Sequence, residues 1–436
     1  MKNSFKRLVS CIMLIFVSVI FIPTNVFAAT NLEEDCITKE EKLPNLNKNY
    51  PIVMVHGLFG WGNDELFGLN YWGGKSNLRE MLNSEGYTVY TPTIGPIASN
   101  WDRACELYAY LKGGTVDYGE AHAQKCGHNR YGRTYQGVYP ELGNNNENSE
   151  LQKVHLIGHS MGGQTIRVLA QLLEDGSQEE IACTGENTNK LFVGNNHFIE
   201  SITTLATPHD GSQQDDVKMD LEPRIHQFFA AMATKAGRDE SENPKFDLKL
   251  DQWGLKRNPG ESYESYYKRV FTSKIWGETK DLSIWDLSLE GAKELNSWVK
   301  THDDIYYFSI ACVDTHKDLK TDYQVPNINM NPLLLKSSKF MGSYINNEEG
   351  KVIVDNSWWR NDGIVSVRSA IAPHEGSTDN IVEYNGQEIQ KGIWNYLGEI
   401  NNIDHIEVVG QHEPIYKKYL QNKFRNWAKM LCGEVK

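Results

Sequence analysis

Short apolar runs alternate with helical patterns along the first half of this 436-residue chain. The run at 154–157 is mostly apolar, as in a buried strand, and after residue 164 apolar side chains recur at helical spacing. Further strands are predicted at 51–55, 87–91 and 199–205, and a helix at 78–83. Strands that alternate with helices are typical of a parallel sheet covered by helices. The pattern therefore predicts the α/β class, with a mostly parallel central sheet flanked by helices.

The turn between the strand at 154–157 and the following helix reads Gly-His-Ser-Met-Gly, with the serine at Ser160. This is the G-x-S-x-G pattern of a nucleophile elbow, in the strand–turn–helix setting that the elbow requires. A sharp turn leaves no room for side chains at Gly158 and Gly162, and it exposes the hydroxyl of Ser160 beside a helix N-terminus. The other interpretation is a glycine-rich turn with an unreactive serine. We take Ser160 as the candidate nucleophile.

The end of a second strand supplies the other part of the hydrolase pattern, the loop that stabilises an oxyanion. Residues 51–55 run into His56 and Gly57, and the loop after such a strand offers a backbone N–H to the oxyanion of an attacked carbonyl. We assign the two donors to the amides of Leu58 and Met161, the latter directly after the nucleophile. Because backbone amides are the donors, neither side chain has to be polar.

A serine hydroxyl is a weak nucleophile at neutral pH, so it needs a base, and an acid must orient that base. In chains with this pattern the order is Ser, acid, His, each at the carboxyl end of a strand. Late in the chain, His405 follows a polar loop and precedes an apolar run, and Asp362 lies in a tight Asn-Asp-Gly turn. We predict the triad Ser160, Asp362 and His405. The alternatives are His412 and His316 for the base, and Asp304 and Asp314 for the acid.

The amino terminus has the pattern of a secretory signal peptide. Three basic residues precede an apolar run at 8–22, and Val26-Phe27-Ala28 fits a cleavage site. The alternative, an uncleaved membrane anchor, is less favoured because the apolar run is short. We therefore predict a signal peptide at 1–28, a polar leader at 29–50 and a single domain at 51–436, in a secreted, extracellular protein that keeps no stable membrane anchor.

Composition narrows the range of partners. Hydrophobic residues make up 40% of the chain and charged residues 23%, which is a globular composition. The net charge is −13, and it becomes −16 without the signal peptide, which carries three basic residues and no acidic one. So acidic a net charge argues against nucleic acid and anionic membranes as partners bound through charge. The seven cysteines have no CxxC spacing, which argues against redox chemistry but leaves disulfide pairing open, and we expect a monomer.

Two stretches stand apart from the sheet pattern. Residues 100–148 form a long insert rich in Gly, Asn and Tyr. In residues 215–239, apolar side chains recur at helical spacing among charged ones. In an ester hydrolase this pattern is typical of a lid helix over an apolar cleft. An apolar lid would favour substrates with long acyl chains. The alternative is an ordinary surface helix. We assign the lid and its supporting region to about 212–300.

Several segments are more specific than the general hydrolase pattern: 56–61 (HGLFGW), 70–74 (NYWGG), 99–106 (SNWDRACE), 113–119 (GGTVDYG), 206–211 (ATPHDG), 249–255 (KLDQWGL) and 361–365 (NDGIV). From residue 51 to the C-terminal helix, the chain resembles the thermoalkalophilic bacterial lipases and their staphylococcal relatives. The resemblance implies the α/β-hydrolase fold with a zinc-binding insert and a helical lid, the same triad, and hydrolysis of carboxylic esters, typically acylglycerols. The thermoalkalophilic branch favours Phe in place of Leu58 and Gln in place of Met161, a departure that backbone donors tolerate.

The insert contains Asp102, His122 and His128. Their spacing alone is weak evidence for a metal, and it favours two surface histidines in a polar loop. The family resemblance implies instead a structural Zn²⁺ held by these three residues and Asp281. Four protein ligands leave no open coordination position, so such an ion would cross-link the insert to the rest of the domain rather than activate water. Cys126 is a further candidate ligand.

The resemblance also implies Ca²⁺ near the loop of the candidate histidine. Glu407 matches one family ligand, whereas His412 stands where the family has an Asp and Asn329 where it has a Gly carbonyl. Ca²⁺ prefers oxygen ligands, so the carbonyl of Asn329 and the carboxylate of Glu413 are the groups that would complete the site.

Together these observations predict a secreted serine ester hydrolase that acts as a lipase on a lipid or ester substrate at an interface. Three alternatives stay open. They are an esterase of short soluble or artificial esters, polyesters included; a catalytically idle hydrolase fold that serves as a binding protein; and a zinc-dependent hydrolase.

Overall fold

The computed structural model describes residues 43–63, 65, 69–214, 230–236, 247–411 and 417–434. The strands are β1 Ile52–Val55, β2 Val89–Tyr90, β3 Gly114–Asp117, β4 Tyr131–Tyr135, β5 Val154–His159, β6 Ile199–Leu205, β7 Tyr306–Val313, β8 Thr315–Lys317, β9 Gln324–Pro326, β10 Ile381–Glu383 and β11 Trp394–Asn401. Seven of them form one sheet in the order β10-β11-β7-β6-β5-β1-β2, and each neighbouring pair in that sheet is parallel. The predicted parallel central sheet is confirmed.

Helices cover both faces of this sheet. In chain order, the α-helices of the described residues are α1 Leu78–Ser84, α2 Asn100–Lys112, α3 Glu120–Cys126, α4 Met161–Glu174, α5 Gln178–Thr184, α6 Tyr263–Phe271, α7 Ile275–Glu278, α8 Ser283–Asp286, α9 Leu289–Asn296, α10 Leu335–Met341, α11 Val367–Ile371 and α12 Lys417–Cys432. The buried apolar residues of α6 and α7 pack into a core of their own, apart from the sheet. Side chains of β1 alternate between two hydrophobic cores, because successive residues of a strand point to opposite faces. Val53 and Val55 pack into the core of α2 and α4, and Ile52 and Met54 into the core of α12. Burial on both faces explains why the central strands are nearly continuous apolar runs.

The predicted insert at 100–148 is only partly peripheral. Its first residues form α2, whose Ala104, Leu107 and Leu111 are buried in the same core as α4. The antiparallel pair β3 and β4 follows, with α3 between the two strands. The peripheral half of the insert therefore begins after α2, and it carries both candidate zinc histidines.

The end of the predicted leader is packed against the C-terminal helix. The amides of Leu46 and Lys48 donate to the carbonyl oxygens of Met430 and Leu431, at 2.8 and 3.0 Å. The predicted signal peptide and the leader up to residue 42 lie outside the described residues. Within the described ranges, no helix combines the length and apolar character needed to cross a membrane.

The predicted lid falls mostly outside the described residues, which omit 215–229 and 237–246. Between these gaps, residues 230–236 are helical, and apolar side chains from this helix are buried in a third hydrophobic core. Leu58 and Phe59, on the loop after β1, pack against that core. An apolar region therefore lies directly beside the candidate oxyanion loop.

Candidate active site and metal centres

Ser160 lies between β5 and α4 in a backbone conformation that few L-residues adopt, with φ 55° and ψ −132°. Close backbone contacts on both sides of the turn require glycine. A Cβ on Gly158 would lie 2.5 Å from the amide nitrogen of Gly163, and a Cβ on Gly162 would lie 2.2 Å from the carbonyl oxygen of Val55. This strained, tightly packed turn is the geometry of a nucleophile elbow.

The three candidate catalytic side chains meet at the carboxyl edge of the sheet. Nε2 of His405 lies 2.9 Å from Oγ of Ser160, and Nδ1 of His405 lies 2.7 Å from Oδ2 of Asp362. The other carboxylate oxygen of Asp362 accepts from the amides of Ile364 and Val365, at 2.9 and 2.7 Å. All three catalytic candidates are buried. The imidazole is therefore held between the hydroxyl that it would deprotonate and the carboxylate that would stabilise its cation.

The alternative acids and bases have other partners. Oδ2 of Asp304 lies 3.1 Å from Nδ1 of His197, in an ion-pair group before β6 and β7. His316 is exposed on the β8–β9 hairpin and is hydrogen-bonded to a neighbouring amide side chain at 2.7 Å. Asp314 belongs to a separate acidic cluster, described below. His412 lies outside the described residues.

The loop after β1 approaches the nucleophile closely. A Cβ on Gly57 would lie 2.7 Å from Cβ of Ser160, so only glycine permits this approach. Leu58 follows Gly57 on the loop, and Met161 is the first residue of α4. The two amides assigned as oxyanion donors therefore each belong to a residue adjacent to this contact.

The buried side chain of Arg103 anchors the loop after β1 by hydrogen bonds, a role that the sequence patterns did not reveal. Its guanidinium donates to the carbonyl oxygens of Gly95 and His56 at 2.7 and 2.5 Å, and to the hydroxyl of Thr165 at 2.8 Å. Arg103 is fully buried in α2. An arginine among the core-facing positions of a helix was the available signal, because a fully buried charge needs several hydrogen-bond partners.

The predicted zinc ligands converge at one point between α2, α3 and the segment before α8. Nε2 of His122 lies 3.3 Å from Oδ1 of Asp102 and 3.3 Å from Oδ1 of Asp281. Nε2 of His128 lies 3.1 Å from Oδ2 of Asp281 and 3.9 Å from Oδ1 of Asp102. One buried atom on each of these four residues has no hydrogen-bond partner. Such a set of nitrogen and carboxylate donors, left unsatisfied and aimed at one point, fits a four-coordinate Zn²⁺.

Neighbouring side chains fix the orientation of these candidate ligands. Trp101 stacks on the ring of His122, with centroids 4.9 Å apart and an interplanar angle of 11°. Trp253 meets the ring of His128 edge-on at 4.7 Å. The amide of Gln252 donates to Oδ2 of Asp102 at 2.7 Å, and burial together with Asp281 raises the pKa of Asp102. A cation would relieve the repulsion between the two carboxylates.

A second candidate cation centre lies beside the loop of His405. Carboxylates of Asp314, Asp404 and Glu407 are buried, and their oxygens lie within 4.8 Å of one another. Burial raises the pKa of Asp314 to about 7, and burial with the charge of Asp404 raises the pKa of Glu407 to about 9. Glu407 was among the predicted calcium ligands, whereas Asp314 and Asp404 were missed. The adjacency of Asp404 to His405 was the available signal.

The other predicted calcium ligands stay predictions. Asn329 is exposed on the loop after β9, and His412 and Glu413 lie outside the described residues. The backbone amide of Asn331 donates a hydrogen bond to Oδ2 of Asp404 at 2.8 Å, which helps to hold that carboxylate in place. The carboxylates that could bind a hard cation are therefore carried by the residue directly after β7 and by the loop of His405.

Residues 48–434 match the family described as "Lipase-like, C-terminal domain". Lipase 1 of Staphylococcus aureus is 40% identical over 386 residues, which are 87% of this chain and 53% of that protein. The chain thus spans about half the length of the curated relatives that it matches.

Two solved structures match over nearly their whole length. EstA from Clostridium botulinum is 42% identical, with a TM-score of 0.76, and the match covers 94% of this chain and 99% of that one. Lipase 1 from Pelosinus fermentans is 46% identical, with a TM-score of 0.73, over 88% of this chain and 99% of that one. These comparisons confirm the resemblance to lipases that the sequence motifs predicted. The chain therefore belongs to the family of lipase-like C-terminal domains.

Proposed function

We propose that this protein is a serine carboxylic ester hydrolase that acts as a lipase on acylglycerols. The observation that carries this proposal is the continuous line of hydrogen bonds from Ser160 through His405 to Asp362, at 2.9 and 2.7 Å. The naming of relatives as lipases supports the substrate class. The strained elbow and the glycine contact beside it support the reaction type, because both serve to present a hydroxyl to a carbonyl carbon.

Acylation of the serine follows from this geometry. His405 takes the hydroxyl proton of Ser160 through Nε2, and Oγ attacks the ester carbonyl carbon. Negative charge then develops on the carbonyl oxygen, where the amides of Leu58 and Met161 and the N-terminus of α4 stabilise it. Asp362 stabilises the imidazolium through Nδ1. The proton passes from Nε2 to the leaving alcohol, and an acyl group remains on the serine.

Deacylation repeats these steps with water. Nε2 of His405 takes a proton from the water as its oxygen attacks the acyl carbonyl carbon. The same two amides hold the second oxyanion. The bond to Oγ of Ser160 breaks, the serine recovers its proton from His405, and the fatty acid leaves.

The decisive experiment is Ser160→Ala with a matched control, Ser357→Ala, at an exposed serine. We expect Ser160→Ala to keep the wild-type fold and lose ester turnover, and Ser357→Ala to keep both. A fluorophosphonate probe should label the wild type at Ser160, as read by peptide mass spectrometry. Wild-type turnover in folded Ser160→Ala would overturn the mechanism, and absence of turnover in the wild type would favour a binding protein.

A preference for long acyl chains is the finer part of the proposal. The apolar core that contacts Leu58 and Phe59 lies beside the carbonyl site, so an acyl chain has a hydrophobic surface next to the serine. Hydrolysis of p-nitrophenyl esters of increasing acyl length, below and above substrate aggregation, tests this. Rates that rise with length and aggregation support a lipase. A maximum at short soluble esters supports the esterase alternative, and soluble products from a polyester film would extend it to artificial esters.

We also propose metal ions at both centres. Asp102, His122, His128 and Asp281 would hold a structural Zn²⁺, which when bound supplies a closed four-coordinate cross-link and no open position for water. At the acidic cluster, the buried carboxylates of Asp314, Asp404 and Glu407 support a Ca²⁺ site. Asn329, His412 and Glu413 remain candidate additional ligands there.

The mature protein, in this proposal, is secreted after cleavage at residue 28, is monomeric and meets its lipid or ester substrate at an interface. The acidic net charge supports a role without nucleic acid. Amino-terminal sequencing of the protein from culture medium tests the cleavage site. Light scattering during size-exclusion chromatography tests the monomer.

A further inference from the structure

Cys126 is a free, partly buried thiol at the edge of the insert metal centre. It is the last residue of α3, one helical turn after His122, so the two side chains lie on the same face of the helix. Sγ of Cys126 lies 3.9 Å from Nδ1 of His122. This thiol has no place in the four-ligand set of Asp102, His122, His128 and Asp281.

Four residues nevertheless form a second ligand set that includes the sulfur. His122, Cys126, His128 and Asp281 each offer one ligand atom, and these atoms all lie within 4.8 Å of one another. Nε2 of His128 and Oδ2 of Asp281 are buried without a hydrogen-bond partner, and the side chain of His128 is 0% exposed. The centre therefore contains two overlapping sets that share three residues and differ in Asp102 or Cys126.

The ring of His122 lies between the two aspartates and Cys126. Trp101 stacks on the ring, and the carboxylate of Glu180 accepts from the amides of Ala121 and His122 at 3.0 and 2.7 Å. Nε2 faces the two aspartates, and Nδ1 faces Cys126. Cys126 therefore borders the same ring whose Nε2 is aimed at the two aspartates, which places the sulfur at the edge of the metal centre.

We propose that this centre also binds a thiophilic divalent cation such as Cd²⁺, with Cys126 in place of Asp102 as a ligand. Thiolate is a soft donor that selects soft ions, whereas the carboxylate of Asp102 suits harder ones. On binding, the S–H proton leaves to solvent and a sulfur–metal bond forms. The partial exposure of Cys126 gives the ion and the proton a route. This inference rests on the metal centre proposed above.

The test is a Cd²⁺ titration of chelator-treated mature protein, followed by ultraviolet thiolate-to-metal charge-transfer absorption and by metal analysis after dialysis. We expect an absorption that grows and saturates at about one equivalent in the wild type. Cys126→Ser should lose this absorption, and the matched control Cys183→Ser, at an exposed free cysteine, should keep it. Circular dichroism confirms that both variants are folded.

A second readout uses the unaltered chain. Bound Cd²⁺ should protect Cys126 from iodoacetamide at least tenfold relative to Cys183, measured by peptide mass spectrometry. Retained Cd²⁺ without the absorption and without protection would overturn the sulfur ligand and leave the metal centre intact. If the wild type retains neither Cd²⁺ nor Zn²⁺, both the sulfur ligand and the proposed metal centre are wrong.

Discussion

Nε2 of His159 lies 3.0 Å from the backbone carbonyl oxygen of His405, so the residue before the nucleophile is tied to the backbone of the proposed base. A carbonyl oxygen only accepts, so Nε2 donates and Nδ1 of His159 is left as an acceptor. That nitrogen lies 2.6 Å from the hydroxyl of Tyr71, which accepts from the amide of Gly57 at 3.0 Å. Burial lowers the pKa of His159 well below its ordinary value, which keeps the ring neutral. Buried hydrogen bonds thus join the oxyanion loop to the loop of His405.

Replacing Tyr71 with Phe removes these hydrogen bonds while keeping the aromatic ring. We expect kcat to fall roughly tenfold to hundredfold with KM nearly unchanged, because the two loops lose their shared anchor and the base is less well positioned. Steady-state kinetics on a soluble short-chain ester measure both constants. The control is Tyr87→Phe, which removes a hydroxyl that donates to Gly433 after α12 and should leave kcat unchanged. A wild-type kcat in folded Tyr71→Phe would restrict the network to a structural role.

Replacing Asp362 with Asn tests the proposed acid. The amide oxygen of Asn can still accept from Ile364 and Val365, so the turn should persist, but the charge that stabilises the imidazolium of His405 is lost. We expect kcat/KM to fall by about three to four orders of magnitude. Asp304→Asn, at the alternative acid, should stay within about twofold of wild type because Asp304 pairs with His197 instead. A large loss of kcat/KM in Asp304→Asn together with near wild-type kcat/KM in Asp362→Asn would instead assign the acid to Asp304.

The sequence predicted the features that a short stretch of chain determines. Gly158 is required by a contact within the strand–turn–helix unit and Gly162 by a contact with the end of β1, and both lie in the short Gly-His-Ser-Met-Gly motif, so the elbow was visible in a few residues. The central strands of the sheet were also visible in short stretches, because strands buried on both faces are apolar throughout. The triad needed chain order as well as local pattern, since Asp362 and His405 lie on separate loops 43 residues apart.

The features that the sequence did not reveal join residues far apart along the chain. Asp314 lies beside Glu407 because β7 and β11 are parallel neighbours, with Val313 opposite Asn401, so their carboxyl ends meet. The contact between Tyr71 and His159 spans 88 residues. Neither local composition nor hydrophobic spacing at these positions carries information about the partner, so only the folded sheet brings them together.

A buried ion pair ties the loop after β1 to the lid-support region. Nζ of Lys249 lies 2.6 Å from Oε1 of Glu65, whose other oxygen accepts from the amide of Gly62 at 3.1 Å, and both charged side chains are buried. We expect Lys249→Met to lower the free energy of unfolding by about 3–5 kcal/mol, because it leaves the Glu65 carboxylate buried and uncompensated. Urea denaturation measures this.

The double variant Glu65→Gln with Lys249→Met is the matched control. It removes both charges while Gln keeps an acceptor for Gly62, so most of the lost stability should return. A double variant as unstable as Lys249→Met alone would show that packing, rather than the stranded charge, causes the loss.

Removal of the Zn²⁺ proposed for the insert should loosen the structure without abolishing the chemistry. We expect a chelator to lower Tm by roughly 5–10 °C and to change tryptophan emission, since Trp101 and Trp253 contact the two histidines. Ester turnover at low temperature should persist because a Zn²⁺ with four protein ligands has no open position for water, and the proposed base for Ser160 is His405. His128→Ala should show the lower Tm already and respond no further to the chelator. Loss of turnover without loss of structure would support the zinc-dependent hydrolase instead.

The acidic cluster beside His405 predicts a pH-dependent response to Ca²⁺. With folded-state pKa values of about 7 for Asp314 and about 9 for Glu407, both carboxyls are harder to ionise in the fold than in the unfolded chain. An acid whose pKa is raised by folding destabilises the fold once pH exceeds its ordinary value, so the metal-free protein should lose stability as pH rises from about 5 to 9. A bound cation favours the ionised carboxylates and should offset this loss.

We therefore expect the difference in Tm between Ca²⁺ and EGTA to be near zero at about pH 5 and to grow to several degrees at about pH 9. Differential scanning calorimetry across this range measures it. Asp314→Asn removes one of the repelling charges, so its EGTA form should be more stable than wild type at high pH and its Ca²⁺ response smaller. Asp322→Asn, at an exposed carboxylate, is the matched control and should behave as wild type. A Ca²⁺ response that is the same at every pH would contradict the cluster as the binding site, because ion binding there must compete with protons on its buried carboxylates.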